Sequence, residues 1–392
     1  MNALSLKSIS YASFLFLVVS TTAVDGMFHT IFGPAMMAAA PLALMLLFFL
    51  LFTAKKIETF IDFHFFVLLY ILWSSLSYVW TTTPEITALR LLAFNFSTLF
   101  VFPIFWYHLK NYKNLNQAYL YYLVAIFYLG TVTVSNFNNG IMATHYSGSG
   151  RFSAYDIGTN EMAIMLSCAI TIALYLYTVS KSKITQLIAV SSVPIMSYAA
   201  FLTGSRTGFI TLFVGLLFVI FPLAKAKGVG KLVISAVIVL GVILIAELVP
   251  EDLILRIFST GQSLSTGNLN EREVVWQIGL DAWEEQPFIG RGVDSFDKMS
   301  NHAHMDLEAH NTYLSILVEY GIVGFMLYMS ILVSLFFYIL KVNGIHKFLM
   351  LFLMFQLLVA QMTTNLQDNA ILWSTYALMI SHCWIILNKR FE

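Results

Sequence analysis

Charge is scarce in this chain. Of its 392 residues only 11% are Asp, Glu, Lys or Arg, while 59% are hydrophobic. Soluble domains carry roughly a quarter charged residues, so a water-soluble globule is excluded. There are only two cysteines, Cys168 and Cys383, and both fall inside apolar runs. They read as small buried hydrophobes, which excludes a disulfide framework. No Cys and His cluster has zinc spacing. Internal repeats and low-complexity tracts are missing, and so are the short alternating strands of a β-barrel.

What the chain does have is long apolar runs. Their lengths suit about a dozen membrane spans, at 8–24, 30–53, 62–80, 87–108, 115–135, 158–180, 185–203, 207–224, 229–249, 312–340, 346–366 and 369–388. Lipid forces every backbone group to be paired within the segment, so the spans are helices. The expected fold is an all-α polytopic membrane protein of about 12 transmembrane helices with one large periplasmic loop. The chain divides into 1–249 with the first nine spans, 250–311 as the large loop, and 312–392 with the last three. The first run follows only Lys7 and has no clear cleavage site, so it reads as a retained span rather than a signal peptide.

The polar gaps fall into two alternating sets. One set holds Lys7, Lys55, Lys56, Lys110, Lys113, Lys181, Lys183, Lys225, Lys227, Lys231, Lys341, Lys347, Lys389 and Arg390, in short loops and at both termini. The positive-inside rule makes this the cytoplasmic face. The other set is Arg90, Arg151, Arg206, Arg256, Arg272, Arg291 and Lys298. Arginine on the outer side needs a reason, and holding an anion is the simplest one.

The outer loops carry the candidate chemistry. Thr203-Gly204-Ser205-Arg206-Thr207-Gly208 is a tight turn whose amides and guanidinium suit a phosphate, or else a plain turn with a snorkelling arginine. Arg151 opens a stretch ending at Asn160 and Glu161, where it either binds an anion or pairs with Asp156 or Glu161. Arg90 at membrane depth is either functional or paired with Glu85. Arg272 begins an amphipathic helix capped by Asn270, with Val275, Trp276, Gly279, Leu280 and Trp283 on one face. Pro287 and Gly290-Arg291-Gly292 follow; taken singly, both segments read as surface structure. His310-Asn311 stands at the mouth of a membrane helix leading to Glu319, and an imidazole there suits proton movement. Gly321 and Gly324 would allow close helix packing. His302 and His304 read as interfacial; His29, His64, His108, His346 and His382 read as structural or interfacial.

In order and topology these landmarks resemble the bacterial O-antigen ligase and O-antigen polymerase superfamily. They run Arg151-Phe152-Ser153 to Asn160, Ser205-Arg206-Thr207-Gly208, Arg272 with Trp276, Pro287 with Gly290-Arg291-Gly292, and His310-Asn311 to Glu319, Gly321 and Gly324. The resemblance implies a membrane-embedded glycosyltransferase that needs neither metal nor cofactor. Its donor would be a glycan on undecaprenyl pyrophosphate, and its acceptor a lipid A–core sugar or another glycan. It would work at the periplasmic face of the bacterial inner membrane, with both termini cytoplasmic and no nucleic-acid partner. The catalytic residues so implied are His310, Arg206 and Arg272. Arg151, Arg90, Arg291, Asn311, Ser205 and Glu319 are the further substrate-binding candidates.

The expected reaction is transfer of the glycan to lipid A–core, with glycan polymerisation on the same donor as the alternative. A transporter or flippase is the reading from another class. It would bring repeats and mid-membrane charges, whereas the polar residues here gather at one face.

Overall fold

The computed structural model describes residues 11–15, 17–19, 60–81, 86–143, 150–155, 157–258, 272–296 and 309–389. Among them most residues are helical, and no strand occurs. The helices are α1 (Asp62–Leu76), α2 (Ile86–His108), α3 (Tyr112–Asn138), α4 (Thr159–Val179), α5 (Lys183–Leu202), α6 (Arg206–Leu217) and α7 (Ile220–Lys225). They continue with α8 (Val229–Leu248), α9 (Glu251–Phe258), α10 (Arg272–Glu285), α11 (Thr312–Lys341), α12 (Gly344–Gln361) and α13 (Ala370–Leu387). Eight helical segments among the described residues are long and apolar enough to cross a membrane. This is an all-α polytopic membrane protein. Residues 11–15 and 17–19, in the first expected span, are helical, while the second expected span lies outside the described residues.

Local chemistry sets the helix starts. Asn111, Ser182, Ser205, Asn311 and Asn369 each accept a backbone N–H of the turn they open, satisfying donors that lipid would leave orphaned. At the centre lies α4, buried along nearly its whole length and packed by α3, α5, α6 and α12. Gly208 permits the α4–α6 approach, since a Cβ there would sit 2.2 Å from Ala163 Cβ. A second group is built from α1, α2, α11 and α13, and α10 docks on α11.

The lysine-bearing connections and the arginine-bearing ones alternate along the chain, as the sequence implies. At the arginine end separate connections are stitched together. Phe152 N donates to Leu202 O at 3.0 Å, Thr81 Oγ1 to Val293 O at 2.6 Å and Thr312 Oγ1 to Thr364 O at 2.8 Å. At the lysine end a buried chain runs Tyr112–Tyr175–His346–His382–Tyr119, with contacts of 2.9 to 3.0 Å. His346 and His382 thus hydrogen-bond to each other and to tyrosines within the bundle.

Two details depart from expectation. On α10 the buried positions are Val275, Gly279 and Ala282, with Trp276 and Trp283 half-buried and Leu280 exposed. Leu280 is one residue past Gly279, and at 100° per residue it turns away from α11. Gly321 does more than ease helix packing. With φ 64° and ψ −171° it breaks α11, and the 287–292 segment fills the break. Ile322 N donates to Pro287 O at 2.8 Å, Val323 N to Phe288 O at 3.3 Å, Arg291 N to Val318 O at 2.9 Å and Gly292 N to Glu319 O at 2.8 Å. A Cβ on Gly321 would lie 2.3 Å from Phe288 O, so only glycine fits. Gly324 does serve close packing, against Trp73 of α1.

Candidate functional site

The α5–α6 turn is the foundation. Gly204 takes φ 57°, and its N–H closes onto Phe201 O at 2.9 Å. A Cβ there would meet Leu253 Cδ2 at 2.9 Å, Arg151 Cγ at 3.4 Å and Arg256 Cδ at 3.6 Å. Glycine therefore lets two arginine stems lie against one turn. Ser205 caps α6 by accepting Gly208 N at 3.0 Å, and its hydroxyl donates to Asn160 Oδ1 at 2.8 Å. Arg151, only 4% exposed, donates through Nη2 to the same Asn160 Oδ1 at 3.1 Å and through Nε to Thr203 O at 2.8 Å. Arg206 Nε donates to Arg256 O at 3.3 Å. Three guanidinium side chains, those of Arg151, Arg206 and Arg256, thus gather round a helix N-terminus, itself a favourable place for an anion.

His310 is fixed from both sides. Ala309 is fully buried and its carbonyl accepts Trp276 Nε1 at 2.8 Å. Asn311 caps α11, accepting Tyr313 N at 3.1 Å and Leu314 N at 3.2 Å. Between them His310 takes φ 45°, in the left-handed region that favours glycine. Burial pushes its imidazole down to about 4, and the positive charges of Arg272 and then Arg151 push the same way. At neutral pH the ring is therefore uncharged, with one nitrogen able to accept a proton. Arg151 belongs to both descriptions: it is bonded to the turn that opens α6, and its charge bears on His310.

The other candidates divide. Arg272 is the first residue of α10 and acts on His310. Glu319 is buried in α11, one carboxylate oxygen accepting Gln367 Nε2 at 2.9 Å. Arg291 is tied elsewhere: it forms an ion pair with Glu285, and its Nε donates to Ala282 O at 3.1 Å. Its contacts fasten the 287–292 turn to α10. Arg90 lies in α2, but its side chain is outside the described residues, as are Asn270, His302 and His304. Two residues absent from the candidate set join the site. Asn160 is the shared acceptor of Arg151 and Ser205, and Arg256 supports Arg206. Arg256 carried a signal, being one of the outer arginines. Asn160 carried only its place at the end of the Arg151 stretch.

Residues 191–329 match the family model of Wzy_C, O-Antigen ligase. The match agrees with the sequence resemblance to the O-antigen ligase and polymerase superfamily. The O-antigen ligase segment spans roughly a third of the chain. It runs from mid-α5 into α11 and contains Arg206, Arg256, Arg272, Arg291, His310, Asn311 and Glu319. Arg151 and Asn160 lie before it, and Gln367 lies after it. No curated protein matches the chain.

Proposed function

We propose that this protein transfers a glycan from undecaprenyl pyrophosphate to a sugar hydroxyl of lipid A–core, as an O-antigen ligase. One observation carries the reading: the neutral imidazole of His310 lies in the field of Arg272 and Arg151, and Arg151 is bonded to the turn that opens α6 with Arg206. The bond from the anomeric carbon to the pyrophosphate oxygen breaks, and a bond to the acceptor oxygen forms on the opposite face. Negative charge builds on the departing pyrophosphate, and Arg206, Arg256, Arg151 and Arg272 are the groups to meet it. The acceptor's proton goes to His310. Asn160 and the Thr203 carbonyl hold Arg151 in place, and Ser205 holds Asn160. The anion itself prepares the base: with a pyrophosphate among the arginines, their push on His310 is offset and its basicity rises. Base strength is then coupled to donor occupancy.

The family match covers ligation and polymerisation alike; ligation is preferred on the stretch from His310 to Gly324. The active end is assigned to the periplasm, by the lysine-rich loops at the opposite end. A deletion strain should lose O-antigen from its lipopolysaccharide and accumulate long glycan on the lipid carrier. A core bearing a single repeat unit would mark a polymerase instead. Absence of both phenotypes, or full rescue by a His310→Asn copy, overturns the proposal; asparagine also accepts the left-handed backbone but cannot act as the base.

A further inference from the structure

Sugar hydroxyls need partners of a kind the arginines do not supply. The connection between α12 and α13, Met362 to Asn369, is held against the start of α11. Thr312 Oγ1 donates to Thr364 O at 2.8 Å and accepts Leu366 N at 2.9 Å. Trp373 Nε1 donates to Gln367 O at 2.8 Å, and Asn369 caps α13. The turn is therefore rigid, and it is anchored two residues from His310.

Along this seam lie polar side-chain atoms that are buried and have no hydrogen-bond partner among the described residues: Ser315 Oγ, Thr364 Oγ1, Asn365 Oδ1 and Gln367 Oε1. Ser315 is 0%, Thr364 6% and Gln367 3% exposed, so bulk water does not serve them. A buried polar group left unpaired is costly and calls for an explanation. Gln367 Nε2 donates to Glu319 Oε2 at 2.9 Å. Oε1 is thus an acceptor awaiting a donor. Two amide oxygens and two hydroxyls, fixed in advance on a rigid turn, match the alternating donors and acceptors of a carbohydrate ring.

We propose that the α12–α13 turn, with Ser315, is the subsite that binds the hydroxyls of the incoming acceptor sugar. This rests on the glycan-transfer reading above. Arg151 links the imidazole to the anion side, and Thr312 links the start of the same helix to this turn. Donor and acceptor then meet at His310 from two distinct walls. Glu319 becomes a positioning residue that orients Gln367. The turn itself lies outside the family-matched residues 191–329, whereas Ser315 and Glu319 lie inside them.

The test is steady-state transfer by the full-length purified protein in lipid nanodiscs, with purified lipid-linked glycan as donor. The acceptor is lipid A–core, or the single-repeat carrier glycan if the wild type extends that instead. Thr364→Val, Asn365→Leu and Gln367→Met each remove one polar partner at nearly constant volume. The expected result is a rise in acceptor KM of about tenfold or more in Asn365→Leu and Gln367→Met, with donor KM within about twofold of wild type. Thr364→Val moves the same way by less. Unchanged acceptor KM in Asn365→Leu and Thr364→Val overturns the subsite, even if Gln367→Met fails to fold, and assigns the seam to buried water. Equal rises in donor and acceptor KM overturn it too. No transfer by wild type to either acceptor overturns the glycan-transfer reading itself.

Discussion

The two ends of this bundle carry the same sign of charge and treat it in opposite ways. At one end Lys113, Lys181, Lys183, Lys225, Lys227, Lys231, Lys341 and Lys389 are exposed, with Lys110 and Lys347 half-exposed. Lys225, for instance, merely reaches a helix-end carbonyl, that of Thr178. At the other end Arg151 is buried, and Arg206, Arg256, Arg272 and Arg291 are all half-buried. A lysine ammonium is a strongly hydrated point charge that stays in water and leaves topology to the bulk field. A guanidinium is planar and weakly hydrated, so it can be drawn into protein and aimed by carbonyls. The histidines divide likewise. His346 and His382 close a buried tyrosine chain whose hydrogen bonds are made internally, whereas His310 sits in a strained backbone beside positive charge. The tyrosine–histidine chain uses its polarity internally, whereas His310 is held beside the arginines.

That contrast can be broken by substitution. The largest effect is expected from Arg206→Lys or Arg272→Lys, which keep the charge and lose the fork: transfer should fall by about 10²–10³, read as kcat. Full activity in either would reduce the arginine end to simple charge. His310→Asn comes next and should cost about 10²–10⁴ in kcat with donor KM little changed. Arg256→Lys should cost roughly tenfold, since it keeps a positive charge beside Arg206 and the main-chain carbonyl that Arg206 uses but loses the planar fork. The pH profile sharpens the comparison further. With His310 pushed down to about 4, kcat/KM should hold through the weakly acidic range and fall only near that value. Removing a positive neighbour favours protonation, so Arg151→Gln should move this acid limb to higher pH, measured on its residual activity. An unmoved limb would separate His310 from the arginines. Smallest of all, Lys225→Ala should change the rate by less than about twofold, as solvent-exposed charge usually does.

Much of this organisation was legible because lipid leaves few choices. Apolar runs near 62–80, 115–135, 158–180, 185–203, 312–340 and 369–388 correspond to α1, α3, α4, α5, α11 and α13 within a few residues. Helix α10 was legible from its amphipathic spacing. The site was legible by residue type and side, not by assembly. Arg151 and Arg206 were separate motifs, and only the fold places Asn160 between Arg151 and Ser205. Arg291 resembles the other outer arginines in sequence, yet Glu285 at the end of α10 engages it. Such pairing depends on where the Gly290–Gly292 turn returns the chain. The break at Gly321 was hidden for a related reason. A glycine near a second glycine suggests close packing, whereas φ 64° here answers to carbonyls from a segment some thirty residues earlier.

That break ties the machine's outside to its inside. Because backbone groups on both flanks of Gly321 are completed by the Pro287–Gly292 strip, that strip is spliced into α11. Any displacement of it must carry the start of α11 along, and with it the carboxamide held by Glu319.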